Sequence, residues 1–299
     1  MKRLLVTGAG GMTGAEVSEQ ANAFGWKVRP LTRENLDITD ASAVDDAIAE
    51  FHPHVVVNCA AYTAVDRAES EPDIAEAVNA GGARNLARAA ARVDAPIIQI
   101  STDYVFDGQS REPYDIDSPT APIGVYGRTK LGGEQAVMEE NPAAVIVRTS
   151  WVFSHRGANF VRTMLRLGSE RDELKVVNDQ TGRPTSAADL GGALLQVANT
   201  VYENRSAAGI YHFANEGEVT WFQFAEAIFE EARSRGSAKS PRVVPIPTSE
   251  FPTPAKRPAY SVLDTTSFTN RFKLTPRSWR SALRDMIDHA FRDTLAVSQ

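Results

Sequence analysis

The stretch VTGAGGMTG, residues 6–14, sets glycines at positions 8, 11 and 14, with Gly10 between them. The run before it, RLLVT (3–7), reads as a strand, and MTGAEVSEQANAFG (12–25) after it has helical spacing and closes on a glycine. A strand that turns through glycines into a helix makes an anion cradle. Glycine allows the tight turn, and backbone N–H groups can then approach a pyrophosphate at the helix N-terminus. No Lys-Ser/Thr pair follows, which excludes the phosphate loop of an NTPase. A dinucleotide site is therefore expected, built from Gly8, Gly11, Gly14 and the backbone of Met12 and Thr13.

Outward from this turn the chain alternates. KVRPL (27–31), HVVVNCA (54–60), PIIQIST (96–102) and AAVIVRTS (143–150) read as strands. Between them lie helices at 40–51, with Asp40 as N-cap, at 72–93, with Pro72 near the start, and at 125–140. Continuous Val/Ile runs separated by helices mean parallel strands covered on both faces. The fold class is α/β, a doubly wound, Rossmann-like parallel sheet. Residues 1–150 are expected to form the dinucleotide-binding domain, completed by parts of 186–215 that include GIYHFA (209–214). Residues 151–299 are expected to form mainly a smaller substrate lobe. Prolines crowd 241–258, too densely for central sheet.

Composition narrows the function. The 299 residues carry a net charge of −6 with no basic stripe, which argues against a nucleic-acid partner. One cysteine, Cys59, forbids an internal disulfide and follows a valine run, so it reads as a structural thiol in a reducing compartment. His52, His54, His155, His212 and His289 are scattered, and no metal site is predicted from them. The opening MKRLLVTGAGG is too short in apolar residues for a secretory leader, and no apolar run approaches the ~20 residues of a membrane span. A cytoplasmic protein is expected.

The end of the second strand reads VRPLTRENLD, with Arg29, Thr32 and Arg33 before any acid. A cation there suits a 2′-phosphate, so NADPH is expected over NADH, with Arg33 as its contact. Asp37 and Ile38 lie where an adenine edge could rest. Ala60, Ala61 and Tyr62 follow the third strand at the carboxyl edge, where ligands bind in such sheets. Ser101, Thr102 and Asp103 end the fourth strand at the same edge. Tyr126 and Lys130 stand four apart on the next helix, so they share a face. A free tyrosine has a pKa of ~10, and a neighbouring ammonium would lower it. This makes Tyr126 the expected proton donor, Lys130 its tuning charge and a ribose ligand, and Thr102 a hydrogen-bond partner of the substrate oxygen.

This combination resembles the extended short-chain dehydrogenase/reductase family. Within it, NCAAYTAVDRAESEP (58–72), STDYVFDG (101–108), VYGRTKLGGE (125–134), VRTSWVF (147–153), NDQTGRPT (178–185) and FPTPAKRP (251–258) resemble the dTDP-4-dehydrorhamnose reductase branch. The resemblance implies a small-molecule sugar-nucleotide substrate and reduction of the C4 ketone of dTDP-4-dehydro-L-rhamnose, the last step of dTDP-L-rhamnose synthesis. It also implies that Trp151 lines the sugar pocket, that Asp103 holds a sugar hydroxyl, and that Gln180 and Arg257 lie near the substrate. Some members bind Mg²⁺ through glutamates across a dimer. LRDMIDHAFRDTLAVSQ (283–299) presents no matching acidic cluster, so Mg²⁺ and the choice between monomer and homodimer stay open. A 4,6-dehydratase would carry glutamate after Asp103, where this chain has Tyr104. The competing functions are a 4-epimerase and a non-catalytic subunit like the beta subunit of methionine adenosyltransferase.

Overall fold

The computed structural model of the chain describes residues 1–237 and 239–297, with side chains through Phe291. In chain order, the first half runs β1 (Lys2–Thr7), α1 (Met12–Gln20), β2 (Trp26–Leu31), α2 (Ala41–Phe51), β3 (Val55–Asn58), α3 (Val65–Ala68), α4 (Pro72–Glu76), α5 (Ala83–Arg92), β4 (Ile97–Thr102), α6 (Val125–Glu140) and β5 (Val145–Thr149). The second half runs β6 (Val152–Phe153), α7 (Phe160–Glu170), β7 (Glu173–Val177), β8 (Thr181–Gly182), β9 (Thr185–Ser186), α8 (Ala187–Glu203), β10 (Gly209–His212), β11 (Val219–Thr220), α9 (Trp221–Ser234), β12 (Arg242–Ile246), α10 (Thr266–Phe272) and α11 (Trp279–Val297).

Six strands form one parallel sheet in the order β2-β1-β3-β4-β5-β10. Val55, Val56 and Val57 are all fully buried, because helices cover both faces. On one face Leu4, Val6 and Val57 pack with Val17 of α1 and Leu190 and Leu194 of α8. On the other, Leu5 and Val56 pack with Val44 and Ile48 of α2 and Leu86 of α5. The order reverses between β1 and β3, and the crevice outside their carboxyl ends is where such sheets take ligands. A third apolar cluster lies apart from the sheet, where Phe153, Met164, Phe224, Phe229, Trp279 and Leu283 join α7, α9 and α11.

Two local features depart from the sequence pattern. The helix expected over 72–93 is interrupted by a π-helical stretch, Ala77–Gly82. A Cβ on Gly82 would come within 2.5 Å of Ile38. Asn79 turns inward to accept from the Tyr62 N–H and to donate to Thr129 Oγ1. The proline-dense segment contains a strand, β12, paired in parallel with β7 so that Pro245 lies opposite Val176. That sheet has only two strands, so the missing N–H of Pro245 can face outward without breaking a ladder.

Candidate active site

The β1–α1 turn requires its glycines. Gly8 has φ +66°, and a Cβ there would lie 2.5 Å from the Ala60 nitrogen. A Cβ on Gly14 would lie 2.3 Å from the Gly8 carbonyl oxygen. Gly11 donates its N–H to that same carbonyl (2.9 Å) and starts α1 without a side-chain cap. The first-turn amides of Met12 and Thr13 are thus left to a ligand. The Met12 side chain turns away, against Gly157 and Asn159, so Met12 can contribute only its backbone there.

Arg29 pairs with Glu50 (2.6 Å) and lies over the Phe51 ring. Arg33 is exposed and carries no ion pair among the described residues, so it is the cation of this stretch still available to a phosphate. Asp37 accepts from the Thr39 N–H and hydroxyl, which hold its carboxyl below the usual range. The Ile38 side chain is buried in the core, which leaves only its backbone for an adenine contact. Ala60 and Ala61 are half-buried at the crevice. Tyr62 donates its hydroxyl to Glu71 and packs beside Tyr126.

A buried polar row crosses the sheet under this turn. Thr7 Oγ1 donates to Asn58 Oδ1 (2.6 Å), and Asn58 Nδ2 donates to Gln99 Oε1 (2.7 Å). Gln99 Nε2 donates to the Ile100 carbonyl (2.9 Å). Lys130 Nζ donates to the same carbonyl (2.6 Å). The row therefore links the end of β1 to the lysine of α6. Beside it, Ser101 Oγ and Thr149 Oγ1 are buried without a hydrogen-bond partner, at the carboxyl ends of β4 and β5.

Thr102 ends β4, donates to Asp103 Oδ1 (3.0 Å) and accepts the Tyr104 N–H (3.2 Å). Tyr126 reaches Thr102 from the first turn of α6 and meets Tyr104 edge to face, with centroids 5.5 Å apart. The electrostatics reverse one expectation. Burial pushes the Tyr126 phenol up to about 12, partly offset by its hydrogen bond to Thr102. Burial pushes the Lys130 ammonium down to about 8. Lys130 does not acidify the phenol, because its Nζ is held on Ile100 and desolvation disfavours the charged form of both groups. Burial also pushes Asp103 up to about 6 and Cys59 up to about 12, so Cys59 is no nucleophile at neutral pH.

Trp151, at φ +47°, stacks on Trp221 with centroids 3.4 Å apart and planes 6° from parallel. Gln180 is buried and donates to Thr248 Oγ1 (3.0 Å), which makes it a brace for the 248–258 strap. Arg257 pairs with Asp66 (2.8 Å) and donates to Thr253 Oγ1 and the Ala255 carbonyl. The guanidinium is therefore already tied to α3, the short helix after β3. Among the described residues no group of three or more His, Cys, Asp or Glu side chains could hold a metal ion. The C-terminal stretch read for such a cluster lies partly outside the described side chains, from residue 292 onward.

Sequence reading missed Trp221, Asp66 and the Asn58–Gln99 row. It also missed a buried fork between Glu134 of α6 and Arg148 of β5 (2.7 and 2.9 Å). Glu134 and Arg148 both lay inside recognised motifs, but nothing in their spacing pairs them. Trp221 has no local signal at all.

Comparison with known proteins agrees with this geometry. Residues 1–292 match the family model described as the RmlD substrate binding domain. The chain is 47% identical over 289 residues to a dTDP-4-dehydrorhamnose reductase of Mycolicibacterium smegmatis, covering 96% of this chain and 85% of that one. It is 42% identical to the enzyme of that name from Aggregatibacter actinomycetemcomitans, over 97% and 100% of the two chains. The solved structure of the Bacillus anthracis dTDP-4-dehydrorhamnose reductase in complex with NADP superposes with a TM-score of 0.90 at 41% identity, covering 97% and 99% of the chains. A Thermus thermophilus UDP-glucose 4-epimerase shares the fold at 22% identity and a TM-score of 0.81. The glycine turn, the Thr102–Tyr126–Lys130 edge and these relatives agree: the chain belongs to the dTDP-4-dehydrorhamnose reductase family, defined by the RmlD substrate binding domain.

Proposed function

We infer that this chain reduces the C4 ketone of dTDP-4-dehydro-L-rhamnose to the alcohol of dTDP-L-rhamnose, using NADPH, with NADH as a second donor. The observation that carries this reading is the convergence of Thr102, Tyr126 and Lys130 at the sheet edge beside the Gly8–Gly14 turn. The residues fit a dinucleotide. Gly8 and Gly14 leave no room for a Cβ, and two hydroxyls at the crevice edge, Ser101 and Thr149, are buried and unpaired. Gly11, Met12, Thr13 and Gly14 would hold the pyrophosphate by their amides, Arg33 the 2′-phosphate, Asp37 and the Ile38 backbone the adenine side, and Ala60, Ala61 and Tyr62 one wall. When bound, the nicotinamide supplies hydride to C4.

Tyr126 supplies the proton. Its phenol, at about 12, stays protonated at neutral pH and is still a far stronger acid than an alcohol, which resembles water at ~15.7. Thr102 shares its hydroxyl with Asp103 and so fixes the direction from which it meets Tyr126 and the ketone oxygen. Lys130 is anchored on the Ile100 carbonyl, and its remaining N–H groups would hold the ribose. The Trp151–Trp221 stack gives a flat apolar wall for the sugar ring, Asp103 a hydroxyl partner, and Arg257 a diphosphate contact once freed from Asp66. Gln180 acts through the strap that it braces. We assign 1–150 with parts of 186–215 to the cofactor half, and most of 151–299 to the substrate half. Among the described residues no helix is long and apolar enough to cross a membrane. We place the enzyme in the cytoplasm, supplying rhamnose for cell-surface polysaccharide.

The test is spectrophotometric. Purified protein with NADPH and dTDP-4-dehydro-L-rhamnose should lose nicotinamide absorbance mole for mole with substrate. Product formation without that loss would point to isomerase or dehydratase chemistry, and no product at all to a binding subunit.

A further inference from the structure

The face of α6 that carries Tyr126 and Lys130 continues to Glu134, at i, i+4 and i+8. Glu134 lies inside the protein, and its two oxygens are forked by Arg148 Nε (2.9 Å) and Nη2 (2.7 Å), with side chains 2% and 3% exposed. Arg148 belongs to β5, next to the edge strand β10 of the sheet, with Ser101 on one side and His212 on the other. Its Nη1 meets His212 Nε2 (3.4 Å), and its guanidinium is covered by the Phe106 ring. His212 Nδ1 meets the Tyr114 carbonyl (3.1 Å).

A buried ion pair is often no more stabilising than an apolar pair of the same volume. Its presence one turn beyond Lys130 therefore calls for another explanation. We propose that Glu134 is a positioning residue for Lys130: held in place by Arg148, it is the counter-charge that keeps the buried lysine an ammonium and aimed at the crevice. This rests on the functional reading of Lys130 given above. Among the described residues, the charges that act on Lys130 are those of Glu134, ion-paired with Arg148, and of Cys59. Cys59, beyond β3, has a thiol pushed up to about 12, so it carries no charge at neutral pH and leaves Glu134 as the counter-charge. Ile100 offers a carbonyl from β4, and Arg148 a second cation behind Glu134. Burial has already brought Lys130 down to about 8, and Glu134 opposes any further fall.

Glu134→Gln and the double variant Glu134→Gln/Arg148→Met separate charge from packing. The alkaline limb of kcat/KM, and the pH at which the cofactor-free protein loses NADPH affinity by fluorescence titration, should both move. The single variant keeps Arg148 and loses the anion, so its limb should fall furthest, by about one to two pH units. The double variant loses both charges and should fall between the single variant and the parent. Activity near pH 6 should be largely kept in any variant that folds by circular dichroism. Should Glu134→Gln not fold, the double variant against the parent still tests the direction. Limbs that coincide in folded variants, or a loss uniform with pH, overturn the proposal and make Glu134 merely structural. A parent that binds NADPH but never oxidises it with this substrate would instead sink the functional reading, while the NADPH titration would still test Glu134.

Discussion

Replacing Tyr126 by Phe removes one oxygen and little else. The ring lies edge to face on Tyr104 and packs beside Tyr62, Val125, Ala68 and Ala75, all of which phenylalanine preserves. The lost hydrogen bond to Thr102 should change stability by no more than ~1 kcal/mol, and NADPH binding should hold, since the glycine turn is untouched. The kinetic cost follows from the acid. The phenol lies at about 12, whereas water, the replacement donor, lies at ~15.7. That gap of roughly 4 pH units is ~5 kcal/mol at 1.36 kcal/mol per unit. A proton about half transferred at the transition state feels about half of it, so kcat should fall at least ~10²-fold, within the ~10²–10⁴-fold range of general acid catalysis. Stopped-flow and steady-state NADPH oxidation measure the loss, and fluorescence titration measures the cofactor Kd. A variant whose kcat stays within a few-fold of the parent, with unchanged cofactor affinity, would show that the proton comes from elsewhere.

Thr102→Val should cost less, ~1–2 kcal/mol in kcat/KM, because one hydrogen bond is lost and the acid remains; equal losses for the two variants would refute this division of roles. Arg33→Ala should raise KM for NADPH roughly tenfold and leave NADH nearly unchanged, and an unaltered ratio removes Arg33 from the 2′-phosphate site. Lys130→Met tests the pH linkage. The lysine lies at about 8 when folded against an ordinary value of 10.5, so above about 8 the unfolded chain binds the extra proton and this group's contribution to stability rises with pH up to about 10.5. Removing it should abolish that rise and stabilise the protein near pH 7 by up to about 3 kcal/mol, read by urea melts at pH 7 and 10; a variant less stable at pH 7 contradicts the desolvation account. Gly182→Ala would put a Cβ 2.5 Å from the Trp151 ring, so it should disturb the Trp151–Trp221 stack, quench or shift tryptophan emission, and raise KM for the sugar nucleotide while NADPH affinity holds.

Much of this fold is written locally. Val/Ile runs bounded by turn residues placed five parallel strands, and helical spacing placed α6 at Val125–Glu140, as expected. GIYHFA was expected to finish the sheet and does so as β10, paired with β5. The π-helical stretch was not legible, because it answers to Ile38 and Tyr62, which reach Gly82 and Asn79 from other parts of the chain. β12 was hidden by Pro245 and the prolines around it, and the penalty of Pro245 vanishes in a two-stranded sheet. At the site, glycine spacing and the Tyr-x-x-x-Lys face located the chemistry. The partners that decide electrostatics and wall shape — Trp221 for Trp151, Arg148 for Glu134, Asp66 for Arg257 — come from other elements, α9, β5 and α3.

The reversal at Tyr126 and Lys130 shows why sequence spacing gives proximity but not protonation. One helical turn sets the two groups on one face, and in water the charge would favour a phenolate. Inside the crevice each group loses its solvent, and desolvation is the largest influence on both. The result suits reduction better than the expected arrangement. A ketone accepting hydride needs a proton that is already in place, and a phenol at about 12 beside an ammonium at about 8 holds both protons at neutral pH. A phenol acidified toward neutrality would spend part of its time as phenolate, the form that alcohol oxidation requires. Burial of the pair thus sets the resting enzyme in the protonation state from which a sugar ketone is reduced.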